Sequence, residues 1–158
     1  MKFFEDSKYY SLKKSTYINL RWIGIIGQLI SVYLVHFYFG FKFDFFLTNL
    51  AIFFGVLSNL YLIFIYKKTQ LSDRLALLFL LFDIFQLTVL IYLTGGAKNP
   101  FIIFIIIPSI FASTNLGLKT NLFIVLITCI MIIFLTFYAS ELPYPLDSHF
   151  HISDYIYY

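Results

Sequence analysis

The chain has 158 residues, of which 61% are hydrophobic, 22% aromatic and only 12% charged, with a formal net charge of +3. That balance excludes an ordinary soluble domain, because several nearly uncharged runs of about 20 residues are each long enough to cross a bilayer as a helix. It also excludes nucleic-acid binding: the basic residues form no aromatic-interleaved patch and instead flank apolar runs, where membrane topology puts them.

Residues 1–21 read as a cytoplasmic arm. Lys2, Glu5, Asp6, Lys8, Lys13, Lys14 and Arg21 interrupt it, and no apolar core precedes a small-residue cleavage site, so it is not a cleaved signal peptide. A first span follows at 22–39 with Arg21 at its edge, then a short turn at Phe41-Lys42-Phe43-Asp44. The second span covers 45–66 and stops at Lys67-Lys68. Ser72-Asp73 resembles an N-cap ahead of the third span, 74–94.

Next comes Leu93-Thr94-Gly95-Gly96-Ala97-Lys98-Asn99-Pro100-Phe101, a compact cluster of turn formers between two long apolar runs. Gly95-Gly96 can take backbone angles closed to other residues, Asn99 can cap a turn, and Pro100 suits the first turn of a new helix. Taken by itself, this is a tight hairpin between membrane spans.

The fourth span, 101–118, is short of apolar residues. Its uninterrupted apolar part, Phe101 to Ala112, holds 12 residues, about 18 Å of helix. A full crossing therefore requires Ser113, Thr114 and Asn115 near the far interface, and Pro108 is a candidate kink. A re-entrant element is the alternative. Lys119 marks the next turn, the fifth span covers 121–139, and residues 140–158 form an outer-side tail. The expected fold is an all-α polytopic transmembrane bundle with five spans.

In this layout nine of the eleven Lys and Arg residues fall on one side, and only Lys42 and Lys98 on the other. The positive-inside rule then puts the N-terminus in the cytoplasm and the glycine loop outside. The single cysteine, Cys129, lies in an apolar run and supports neither a disulfide nor a metal site. His36 reads as a packing residue, and His149 and His151 as part of a surface loop, so no metal ligand set is assigned.

Asp83 lies nine residues beyond Arg74, well inside the hydrocarbon, where a carboxylate must be neutral, paired or facing a wet interior. Gln86 shares its helical face. Gln28 is seven residues from Arg21 and Asn59 eight before Lys67, which sets Gln28, Asn59 and Asp83 all roughly 10–14 Å from one membrane edge. A polar layer joining the first three helices is therefore expected. It can serve as interhelical glue, or as a ligand, proton or switching site. The loop lies across the membrane midplane from it, so the two read as separate, linked features.

Arg21-Trp22, Gly27-Gln28, Leu81-Phe82-Asp83-Ile84-Phe85-Gln86-Leu87 and above all Tyr92-Leu93-Thr94-Gly95-Gly96-Ala97-Lys98-Asn99-Pro100-Phe101 resemble the membrane domain of the RegB/PrrB-type redox-sensing histidine kinases. The similarity runs from Arg21 to Asp147. It implies a sensor domain of six spans in the bacterial cytoplasmic (inner) membrane, with ubiquinone or a related quinone as ligand. It also implies a homodimer in the full kinase and a cytoplasmic response regulator as partner. Gly95, Gly96, Asn99, Pro100 and Phe101 carry over as quinone-loop residues, with Phe101 contacting the ring and Asn99 shaping the loop or reaching a carbonyl.

Departures from that family are equally plain. The sixth span, the phospho-accepting histidine segment and the ATP-binding domain have no counterpart in these residues, nor does the family's cytoplasmic redox cysteine. ATP would act only through a kinase domain lying elsewhere. The competing reading is a small transport or structural subunit that uses the Gln28, Asn59 and Asp83 layer, although one acid and no inverted repeat fit transport poorly.

Overall fold

Polar side chains are buried among apolar ones inside this molecule, and large apolar side chains cover much of its surface. Thr48 and Asn59 are fully buried, while Ile23, Ile30, Phe46, Phe64 and Leu122 are exposed. Water would reverse that arrangement; hydrocarbon solvates the apolar groups and leaves packing and hydrogen bonds to hold the helices together. The computed structural model describes residues 12–138, an all-α bundle. Residues 1–11 of the expected arm (1–21), and the expected tail at 140–158 with His149 and His151, lie outside the described residues.

Helix α1 spans Lys14–Tyr33 and runs on through a π-helical turn, Leu34–Tyr38. The helices α2 (Phe45–Phe64) and α3 (Asp73–Leu93) follow, then a 3-10 segment Pro100–Ile106 continuing into α4 (Ile107–Asn115), and finally α5 (Leu118–Phe137). A two-residue antiparallel pairing of β1 (Leu12–Lys13) with β2 (Gln70–Leu71) ties the start of α1 to the turn between α2 and α3. There the Lys14 ammonium donates to the carbonyls of Tyr66 and, at 3.4 Å, Ile63. A cation thus sits on the otherwise unsatisfied end of α2. Asp44 closes the opposite end of α2 by accepting from the Leu47 amide at 2.9 Å.

Helix α3 is the hub. Its buried stripe of Ala76, Leu80, Ile84 and Ile91 meets Ile105, Ala112, Ile124 and Leu135 from the last two elements. A second cluster, Ile25, Val32, Ala51, Ile52 and Leu90, joins α1, α2 and α3. Ser109 and Thr128 share a buried hydrogen bond of 2.7 Å that fastens α4 to α5.

Two expectations need correction. The first span was expected to begin at 22 with Arg21 at the membrane edge. The helix instead begins at Lys14, because Tyr17 and Arg21 find partners inside the bundle, and Arg21 is buried. The fourth span was expected at 101–118, yet the segment ends at Asn115 and Leu118 already belongs to α5. Among the described residues four helices are long and apolar enough to cross a bilayer, and Pro100–Asn115 is shorter. Winding its first seven residues as 3-10 helix lengthens it to about 27 Å, against about 24 Å for an all-α form. Pro108 falls in the first turn of α4, where its missing donor costs little. The segment runs from one end of the bundle to the other: Phe111 stacks on Tyr17 near the start of α1, and Gly117 reaches Asp73 at the start of α3.

Candidate functional site

The loop after α3 is built as a self-contained knot. Gly95 and Gly96 have φ of 118° and 58°, angles that an L side chain resists. Asn99 spends its whole amide on the loop itself. Its Nδ2 donates to Thr94 Oγ1 at 2.7 Å and to the Thr94 carbonyl at 3.2 Å, and its Oδ1 accepts from the Phe101 amide at 2.9 Å. Pro100 opens the 3-10 segment, and Phe101, 37% exposed, stacks on Phe104 with ring centroids 5.7 Å apart. Asn99 therefore holds the shape of the loop.

About 16 Å away along α3, Asp83 lies in a buried charged cluster. Arg21 donates to a single carboxylate oxygen, Oδ1, through Nε at 3.0 Å and Nη2 at 2.7 Å. The Tyr17 hydroxyl donates to the other oxygen at 2.5 Å, and Nη2 also donates to Ser58 Oγ. The Arg21 and Asp83 side chains are only 6% and 16% exposed. Arg21 Nη1 is buried with no partner among the described residues.

One level deeper toward the loop, Gln86 Nε2 donates to Gln28 Oε1 at 2.9 Å. Asn59, fully buried, donates to the Ile18 carbonyl at 3.3 Å while its Oδ1 goes unpartnered among the described residues. Of the expected layer of Gln28, Asn59, Asp83 and Gln86, Gln28 pairs with Gln86 across α1 and α3, Asn59 bonds α1, and Asp83 pairs with Arg21 and Tyr17. Gln28, seven residues beyond Arg21 on α1, pairs with Gln86, three residues beyond Asp83 on α3.

A cleft of about 1840 Å³ runs between α1 and the fourth segment and links these features. Arg21 and Asp83 lie at one end, Gln28 and Gln86 along its wall, and Asn99, Pro100 and Phe101 at the other end. The loop and the polar residues, expected as two separate features, border one continuous space. His36 also borders it from the π-helical turn, its ring stacked on Phe45 at 4.4 Å with Nδ1 unpartnered among the described residues. A π-helical turn is a frequent mark of a functional position.

Sequence reading missed Tyr17, Arg21 and Ser58 as partners of the acid. The signal was available: Tyr17, Arg21, Ile25, Gln28 and Val32 fall at helical spacing on one face. A carboxylate within hydrocarbon also requires a cation nearby.

Comparison with known proteins adds a family context to this geometry. The model of the PilS-like transmembrane domain matches residues 5–156. The chain is 34% identical over 125 residues to the sensor histidine kinase RegB of Cereibacter sphaeroides, covering 78% of this chain and 26% of that protein. It therefore spans about a quarter of the length of that curated relative. No solved structure matches it significantly.

Proposed function

The chain belongs to the PilS-like transmembrane domain family, and from that premise we propose that it is the sensor module of a two-component histidine kinase. In this reading the module reports the redox state of the membrane quinone pool. The observation that carries the proposal is the cleft that joins the glycine loop to buried polar groups. Its volume exceeds the usual range of roughly 300–1,000 Å³ for small-molecule sites, which leaves room for an isoprenoid tail beside a ring. Oxidised and reduced quinones differ in hydrogen-bonding groups, so unequal affinity for two helix arrangements would shift the bundle between signalling states.

The same reading assigns the remaining parts. The module resides in the bacterial cytoplasmic membrane with its N-terminus in the cytoplasm, following the charge bias. A kinase core elsewhere in the protein would bind ATP, dimerise and pass a phosphoryl group to a response regulator. The transport alternative loses support because the one acid it would use is held by Arg21 and Tyr17.

Quinone titration of the reconstituted chain tests the proposal. Phe101→Ala, which strips an aromatic wall from the cleft, and Asn99→Ala, which loosens the loop, are both expected to weaken binding. Unchanged binding in both variants removes the loop from the site.

A further inference from the structure

Cations that are far apart in the chain meet at one end of the bundle. Lys13 and Lys14 lie at the start of α1, Lys67 and Lys68 beyond the end of α2, Arg74 at the start of α3 and Lys119 at the start of α5. Among the described residues the one acid at this end is Asp73, and its carboxylate is turned toward Gly117 ahead of α5. At the opposite end Lys42 and Lys98 stand with Asp44.

Charge bias alone orients a membrane protein, and it does not require the cations to share one surface. Here the fold gathers them. The β1–β2 pairing sets Lys13 opposite Gln70, and the Lys14 amide donates to the Thr69 carbonyl at 3.0 Å. Leu71 is buried, and the Tyr66 hydroxyl donates to the Gln70 carbonyl at 3.0 Å. These contacts fold residues 66–73 around an open depression of about 650 Å³. Lys14 is drawn onto the end of α2, with its ammonium 6.0 Å from the centroid of the Tyr66 ring. The other five cations are exposed and form no ion pair among the described residues.

A second observation decides what such a surface would take. Phe64 and Ile65, directly before Lys67, are exposed, as is Leu118 beside Lys119. Tyr66 stands between them and the lysines, at the level where aromatic rings mark the membrane interface. The cations therefore rim the edge of the hydrocarbon-facing surface. A free anion would meet the charges and gain nothing from the apolar side chains. A ligand with an anionic head and an apolar body matches both.

We propose that this end of the bundle binds anionic phospholipid. Lys13, Lys67, Lys68 and Arg74 surround the head-group phosphate, and the acyl chains run along Phe64 and Ile65. A lipid held there ties the start of α1 to the turn between α2 and α3. The proposal does not depend on what the cleft binds.

The test uses the full chain in mild detergent, with retained lipid counted by native mass spectrometry. Dioleoylphosphatidylglycerol is the anionic probe and dioleoylphosphatidylcholine the neutral one. Wild type is expected to hold the anionic lipid about twentyfold more tightly or better, from two or more cations worth about fivefold each. Lys67→Gln/Lys68→Gln is expected to lower that preference about tenfold or more, and Lys13→Gln/Arg74→Gln to act in the same direction. Circular dichroism checks that both remain folded. Lys42→Gln/Lys98→Gln, at the other end, removes the same charge and is expected to keep the wild-type preference.

Equal retention of the two lipids by wild type overturns the proposal, and so does an unchanged preference in Lys67→Gln/Lys68→Gln. A loss in the Lys42→Gln/Lys98→Gln control that matches the loss in Lys67→Gln/Lys68→Gln would make the preference one of net charge, and the surface assignment fails. If inorganic phosphate displaces the anionic lipid more than chloride does at equal ionic strength, the surface is a free-phosphate site and the lipid assignment fails.

Discussion

Replacing Asp83 by Asn is the sharpest probe of how the bundle is held together. The change removes the negative charge that faces Arg21 through contacts of 2.7 Å and 3.0 Å to Oδ1. The guanidinium, with its side chain only 6% exposed, keeps Ser58 as a neutral partner but loses its counter-ion. Stranding one member of a buried ion pair costs about 3–5 kcal/mol. Removing both charges with Arg21→Met/Asp83→Leu should cost far less, because the desolvation of two ions disappears with them; the Tyr17 hydroxyl loses its acceptor and Ser58 its donor, about 1 kcal/mol each. The double-mutant cycle should therefore return a favourable coupling of about 2 kcal/mol or more. Unfolding of the reconstituted chain by increasing detergent fraction, followed by circular dichroism, measures all four corners. If Asp83→Asn costs under about 1 kcal/mol, or the double variant loses as much as the two singles added, the pair does not anchor the bundle and the reasoning is refuted.

Three further outcomes can be checked in the same assay. Gly95→Ala should destabilise by about 1–3 kcal/mol, because its φ of 118° suits only glycine; a neutral result would mean that the loop adopts another path in the membrane. Asn99→Ala should cost about 1–3 kcal/mol by orphaning the Phe101 amide and removing the donor that Thr94 accepts, while Asn99→Asp keeps the acceptor for Phe101 and should cost less. Equal losses would show that the Phe101 contact is unimportant. Lys14→Met should cost about 0.3–1 kcal/mol by uncovering the end of α2, and a gain in stability would remove the lysine from its capping role.

Much of this architecture can be read in the chain because hydrocarbon imposes one requirement, a long uncharged helix, and hydropathy reports it directly. The turn at Gly95-Gly96 was legible for a similar reason: positive φ selects glycine. What escaped depends on pairing across the bundle. Arg21 looked like a membrane-edge cation because a charge beside an apolar run usually is one, and only the presence of Asp83 on another helix takes it inside. The 3-10 winding after Pro100 carries no residue pattern of its own; it answers a need for length in a segment of 16 residues. Ser72 illustrates the opposite limit. It occupies the N-cap position of α3 as expected, yet its side chain makes no capping hydrogen bond.

The most direct measurement is a structure of the reconstituted chain with quinone bound. Ring density is expected inside the cleft that joins the glycine loop to the buried polar groups, bordered by Phe101. Density on another face of the bundle, or a helix occupying the cleft in place of the ring, would contradict the proposal that this module senses quinone there.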